Sequence, residues 1–192
     1  MLHKHMKDKA LKSQAFTIKT AQNLISKTNA LIRDYAVNGL KRPSHLSGPL
    51  GELYVYEKVL EKDPEALLLS GQSGVDIKLS NGARIEVKTA RYNTGLKVWG
   101  FGRIMPEKFD YLVCVALKDN STPEFIVFTK KEAQKLPMES DMATDAGRPF
   151  KNQGQTFWLF SSEGQSVKNV QMNKINSGLG LSHRSLERIF EA

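Results

Sequence analysis

The stretch Gly74-Val75-Asp76-Ile77-Lys78-Leu79-Ser80-Asn81-Gly82-Ala83-Arg84-Ile85-Glu86-Val87-Lys88-Thr89-Ala90 decides how this chain folds. Val75, Ile77 and Leu79 alternate with Asp76 and Lys78, while Ile85 and Val87 alternate with Arg84, Glu86 and Lys88. Alternation of period two marks strands with one buried face, so two strands around a tight turn are expected. Register then decides where the charges lie. A two-residue Asn81-Gly82 loop would set Asp76 opposite Val87 and mix the faces. A three-residue Ser80-Asn81-Gly82 loop, with Gly82 at positive φ, sets Asp76 opposite Glu86 and Val75 opposite Val87. The second pairing is the one expected. It gathers Asp76, Glu86 and Lys88 on one face, opposed side chains being about 5 Å apart at Cβ.

Two carboxylates that close repel each other unless something positive sits between them. A hard divalent cation is the natural choice, since Mg²⁺ takes one or two carboxylates plus waters and phosphate oxygens. Lys88 projects on the same side and suits a nucleophilic water or the charge of a phosphate. Asp76, nine residues, then Glu86-Val87-Lys88 resembles the active site of the PD-(D/E)XK nuclease superfamily, the restriction-endonuclease-like fold. Val75 stands where that superfamily usually has Pro. Asp76-Ile77-Lys78 shows the same acid-x-Lys spacing, but no strand carrying an acid precedes it. The bland alternative is a solvated hairpin face of mixed charge. The resemblance implies Mg²⁺, with Mn²⁺ as substitute, held by Asp76, Glu86 and the Val87 carbonyl. It also implies that an acid from the helix before the hairpin joins the metal site, and Glu52 is the matching position.

That helix is expected over Leu50–Lys62, opened by Gly48-Pro49, because Pro at the first helical position loses no hydrogen bond. Leu53, Tyr54, Val55, Tyr56, Val59 and Leu60 make it apolar nearly all round and hence deeply packed. Glu52 shares a stripe with Tyr56 and Val59. Two readings of it stand: a member of the carboxylate cluster, or a first-turn acid favoured by the helix dipole. Upstream, Ile18, Ala21, Leu24, Ile25, Leu31, Ile32 and Tyr35 recur at helical spacing over residues 13–38. Ser13 suits the cap and Gly39 the stop of this long amphipathic helix. Its stripe is expected to pack on the body, with a dimer contact as the lesser reading. Residues 40–47 form a basic linker broken by Pro43.

The net charge of +8 is uneven: residues 1–50 hold nine Lys or Arg against two Asp, leaving +1 for the other 142 residues. A basic end on a neutral body suits a grip on a polyanion, although Lys4 to Lys12 alone could be a soluble tail. The single cysteine, Cys114, lies in the apolar run Tyr111 to Leu117 and excludes a disulfide framework or a thiolate zinc site within one chain. A buried thiol in a reducing cytoplasm is expected. The start is too polar for a signal peptide, and no apolar run reaches transmembrane length. His3 and His5 read as part of a disordered leader.

Ala66 to Ser70 is expected as a short strand, followed by a flexible Gly71 to Gly74 turn. Beyond Lys88, Arg91, Lys97 and Arg103 mix with Tyr92, Trp99 and Phe101. Cations among aromatics suit backbone contact and base stacking. The competing reading is a strand, Lys97 to Arg103, whose aromatics fill the core; it is preferred for Trp99. Phe109 to Leu117 reads as a buried central strand, and Glu124 to Phe128 as its return. Thr129-Lys130-Lys131-Glu132 has capping-box spacing for a short helix ending at Pro137. Residues 138–155 read as irregular, Thr156 to Phe160 as an edge strand, and Ser182 to Phe190 as a terminal helix. There His183, Arg184 and Arg188 are either nucleic-acid contacts or plain surface. No repeat, phosphate loop, nucleophile elbow or paired metal histidines occur, and Gly178 to Gly180 reads as a hinge.

The element order points to an α/β fold, a sandwich with a central mixed sheet flanked by helices plus an N-terminal amphipathic helix. The restriction-endonuclease-like order is matched across residues 48–136, under half of the chain. Residues 1–47 are expected as leader, helix and linker, and 48–192 as the nuclease-like domain. The function expected is a Mg²⁺-dependent, type II restriction-like DNA endonuclease, with Asp76, Glu86, Lys88 and Glu52 at its site. Lys41, Arg42, Arg91, Tyr92, Lys97 and Arg103 are the expected nucleic-acid contacts. A repair or junction-cleaving nuclease, or a non-cleaving nucleic-acid-binding module, are the alternatives. DNA is the expected partner, a homodimer is possible in cutting two strands, and no membrane is involved.

Overall fold

A computed structural model describes residues 17–40, 44–69, 75–95, 98–119, 121–136, 155–160 and 185–191. The chain runs through α1 (Ile18–Val37), a 3-10 turn (Ser44–Leu46), α2 (Ser47–Leu60), β1 (Leu67–Leu68), β2 (Ile77–Lys78) and β3 (Arg84–Arg91). It continues with β4 (Val98–Ile104), β5 (Tyr111–Leu117), β6 (Glu124–Thr129), α3 (Lys130–Ala133), β7 (Gln155–Phe160) and a 3-10 turn (Leu186–Ile189).

The hairpin takes the expected register. Ile77 pairs with Ile85 and Lys78 with Arg84, leaving Ser80, Asn81 and Gly82 as the loop. Gly82 has φ +90°, a conformation that a side chain disfavours. Its N–H donates to the Leu79 carbonyl (3.0 Å), and the Asn81 side chain accepts the Ala83 N–H (2.9 Å). Asp63, just after α2, accepts the Ser80 N–H at 2.8 Å and so ties the loop to the helix exit.

Five strands form a mixed sheet in the order β1-β2-β3-β5-β6, with β3 and β5 parallel and the other neighbours antiparallel. All seven residues of β5 are buried, as its unbroken apolar run requires. β4 does not join this sheet; it pairs antiparallel with β7 in a separate two-stranded sheet. Parallel neighbours need a crossover between them, and the segment containing β4 supplies it.

Two cores result. On one face Ile25 and Ile32 of α1 and Leu50, Val55 and Val59 of α2 pack against Ile77, Ile85, Val87, Val113 and Val115. On the other, Trp99, Phe101 and Ile104 of β4 cover Leu112, Cys114, Ala116, Ile126 and Phe128. The mixed α/β class is as expected, but among the described residues the second face is covered mainly by strand β4. Trp99 is buried and donates its indole N–H to the Leu117 carbonyl (3.0 Å), in keeping with the core reading. Cys114 is buried, and burial pushes its thiol far above the ordinary range.

Several boundaries differ from expectation. α2 begins at Ser47 rather than Leu50, so Pro49 is its third residue. Thr17 caps α1, its side chain accepting the Thr20 N–H (3.2 Å), and Gly39 at φ +67° follows its end. The expected strand Ala66–Ser70 shrinks to Leu67–Leu68. The expected terminal helix is a short 3-10 turn capped by Ser185. The capping box at Thr129 forms as its spacing required. Ser13, Gly71 to Gly74, Pro137, Gly178 to Gly180, Ser182, His183 and Arg184 lie outside the described residues. Among the described residues, no helix is long and apolar enough to cross a membrane.

Candidate active site

Alternation along β3 sends Ile85 and Val87 into the helical core and Glu86, Lys88 and Ala90 to the opposite face. The pairing of β2 with β3 stops at Ile77–Ile85. One residue further out, Asp76 turns its side chain onto β3, where Oδ2 accepts the Val87 N–H at 2.7 Å. A side chain thus replaces the next ladder bond. This holds Asp76 against the strand that carries Glu86 and Lys88.

Glu86 is 3 % exposed, the one charged residue buried that deeply among those described. Lys88 pairs with it through Oε1. The other oxygen, Oε2, is buried with no hydrogen-bond partner among the described residues. Leaving a carboxylate oxygen dry and unpaired is costly. Burial raises the Glu86 pKa, opposed by the Lys88 pair and reinforced by Asp76. Burial also raises Asp76, against the Val87 N–H and Lys88, which lower it.

Glu52 completes the electrostatics. Burial pushes it up to about 7, with the charges of Asp76 and Glu86 adding to the rise and Lys88 opposing it. The helix acid therefore feels both strand carboxylates. Because α2 starts at Ser47, Glu52 lies in its second turn, and the first turn contains no acid. The expected first-turn acid is thus a second-turn one, whose Oε1 reaches back to within 4.0 Å of where a Cβ on Gly48 would stand. Close approach of α2 to β3 brings it to the strand carboxylates. A Cβ on Gly51 would stand 1.8 Å from Thr89 Oγ1 and 2.9 Å from Thr89 Cβ, so only glycine permits this spacing.

Among the described residues no three His, Cys, Asp or Glu side chains form a ready-made metal cage. Two opposed carboxylates with an orphaned buried oxygen nevertheless fit a hard cation that keeps most of its waters.

No protein-family profile matches the chain, and no curated protein matches it. Among solved structures, a bacterial homing endonuclease, I-Ssp6803I, is similar with a TM-score of 0.45 and 12 % identity, over 74 % of this chain and 98 % of that one.

The expected nucleic-acid contacts fare differently. Arg91 lies on the helical face, opposite to Glu86 and Lys88, and its Nε donates to Ser47 Oγ at 2.8 Å. Its guanidinium also lies 3.7 Å from Asp119. Tyr92 rests against Trp99, ring centroids 4.6 Å apart, beneath the Lys118 ammonium. Lys41, Arg42 and Lys97 lie outside the described residues, as does the side chain of Arg103. Arg188 is an internal fastener, not plain surface: it donates to the Val127 carbonyl (2.7 Å) and pairs with Glu132 (2.7 Å). Sequence reasoning missed Lys108, whose charge also acts on Glu86. It sits in the turn before β5, and only the parallel pairing of β3 with β5 brings that turn near.

Proposed function

We propose that this chain is a metal-dependent DNA endonuclease with type II restriction-like chemistry and a PD-(D/E)XK active site. The observation that carries the reading is the Asp76–Glu86 pair on one face of a hairpin, with an orphaned Glu86 oxygen and Lys88 beside it. Asp76, Glu86 and the Val87 carbonyl would hold Mg²⁺ or Mn²⁺, with Glu52 as a further acid near it. Such an ion, when bound, polarises a phosphoryl oxygen and makes its water more acidic.

The chain's own residues do the rest. Asp76 is aimed by the Val87 N–H, so its carboxylate needs no reorganisation at the moment of reaction. The Lys88 ammonium orients the attacking water and stabilises negative charge growing on the phosphate. Its pairing with Glu86 keeps it at the strand edge until substrate arrives. Glu52, which shares the field of both strand carboxylates, would help to hold the metal. The excess charge of the first 50 residues draws in the polyanion.

Calorimetric titration with Mn²⁺ or Mg²⁺, wild type against Asp76→Asn, tests the site, followed by incubation with plasmid and branched DNA. Metal binding and nicking by the wild type, both lost in Asp76→Asn and nicking lost in Lys88→Ala, is the expected result. Intact DNA at every metal concentration, with salt-sensitive binding retained, would leave the non-cleaving module instead. Preference for branched over linear DNA would favour the junction-cleaving alternative.

A further inference from the structure

Neighbouring parallel strands β3 and β5 end at Arg91 and Leu117, and crevices at the carboxyl ends of such strands are favoured places for ligands. Here a cleft of about 510 Å³ opens between the second half of α1, the start of α2 and the β5–β6 turn. It lies on the helical side of the sheet, away from Glu86 and Lys88. The buried Ile32, Leu50 and Leu117 form its apolar floor. Tyr54 stands in the wall, its hydroxyl accepting from Asn29 Nδ2 at 2.7 Å. The cations Arg33, Arg91 and Lys118 also line it, against the single acid Asp119.

That combination has a chemistry. An apolar floor with an aromatic wall accepts a flat ring, and cations at the rim accept an anion attached to it. Arg91 is held by Ser47 and shares Asp119, which makes it a fixed part of the wall. Arg33 is exposed on α1 and can turn toward a ligand, while Lys118, exposed after β5, would exchange its place over the Tyr92 ring for an anion. A ring carrying a phosphate fits these features, since the rim holds more positive than negative charge.

We propose that this cleft is a nucleotide subsite that takes one unstacked residue of a nucleic-acid strand, its base on the Ile32–Leu50–Leu117 floor and its phosphate on Arg33 and Lys118. The inference rests on the nucleic-acid part of the function proposed above and does not require that the site cut.

The test is fluorescence anisotropy in EDTA with a labelled single-stranded oligonucleotide, at several salt concentrations. The variants are Arg33→Gln/Lys118→Gln and, separately, Ala36→Phe, which places a ring at an exposed lining position without changing charge. Loss of both cations from that one phosphate should weaken binding about tenfold and reduce the salt slope by about 0.7. Ala36→Phe should weaken binding at least about threefold through the lost base contact, with the slope unchanged. Binding unaltered in either variant overturns the subsite. An effect of the charge pair alone means a diffuse basic patch, and competition by a mononucleotide as strong as by the oligonucleotide means a site for free nucleotides. Plasmid nicking in Mg²⁺ by the same proteins separates the two proposals. Wild-type nicking with undiminished variant binding removes the cleft and keeps the nuclease, whereas variant loss without any nicking does the reverse.

Discussion

Glu52→Gln should make the protein more stable, and only above a definite pH. Glu52 is held at about 7, against an ordinary 4.5, by burial and then by Asp76 and Glu86. An unfolded chain gives up this proton near 4.5, while the folded chain keeps it until about 7. Between those values the unfolded state binds fewer protons, so stability falls as pH rises. The contribution is fully present below 4.5 and lost on passing 7. At about 1.4 kcal/mol for each tenfold preference between protonation states, the gap is worth about 3 kcal/mol, or ~2–3 after allowing for the solvent that a partly exposed side chain keeps. Gln resembles the protonated acid at every pH. Urea denaturation of both proteins in EDTA should show equal stability near pH 4. By pH 8 the variant should be ahead by about 2–3 kcal/mol. A difference that stays flat from pH 4 to 8, or a variant that is weaker at pH 8, would refute the placement of Glu52 among the carboxylates. Millimolar Mg²⁺ should reverse the ranking at pH 8, because a cation in the cluster turns the repulsion among its acids into binding energy.

Three further outcomes follow from contacts away from the carboxylate cluster or at its edge. Gly51→Ala drives a methyl to 1.8 Å from Thr89 Oγ1 and should cost about 1–3 kcal/mol in urea denaturation despite the better helix propensity; adding Thr89→Ala should recover part of it, and a loss under ~0.5 would deny the close approach. Burial alone would raise Glu132, but hydrogen bonds from Arg188 and Thr129 outweigh it and hold the acid at about 2. Its stabilisation is present above the ordinary 4.5 and vanishes as pH falls through 2. Glu132→Gln should therefore cost about 1 kcal/mol at pH 7, after discounting for a side chain 35 % exposed, with the gap closing in acid; a pH-independent gap would mean that the charge is idle. Trp99→Phe removes one of two donors to the Leu117 carbonyl, which keeps the Tyr92 N–H (2.8 Å), and should cost about 0.5–1.5 kcal/mol in thermal or urea unfolding; an unchanged stability would show that the indole bond adds nothing to that of Tyr92.

Much of the strand-borne part of the site is legible in the sequence, because it is local. Period-two alternation sorts Asp76, Glu86 and Lys88 from Val75, Ile77, Ile85 and Val87, and a three-residue turn with glycine at positive φ leaves one register that keeps both faces pure. The same holds for the Thr129 capping box, spelled out within four residues, and for β5, whose apolar run suits a strand covered on both sides. Helix ends were less legible. Ser47 and Gly48 are poor interior helix residues, yet α2 includes both because its buried face runs from Ser47 to Leu60, and tertiary burial outweighs propensity.

What the sequence by itself determined is which side chains share a face; what only the tertiary structure decided is what each face meets. The parallel pairing of β3 with β5 across an inserted β4 is a long-range choice that no local pattern encodes. It leaves the β3 edge beyond Ile85 for Asp76 to close with a side-chain bond. The distance between α2 and β3 belongs to the same class: Gly51 against Thr89 sets it, and it turns Glu52 from an ordinary helix acid into one that shares charge with two others. Arg91 and Arg188 look alike in the chain as basic residues near aromatic ones, yet packing ties one to Ser47 and the other to Glu132. Periodicity is a property of neighbours along the chain and survives in any fold, whereas burial, pKa and pairing depend on neighbours through space.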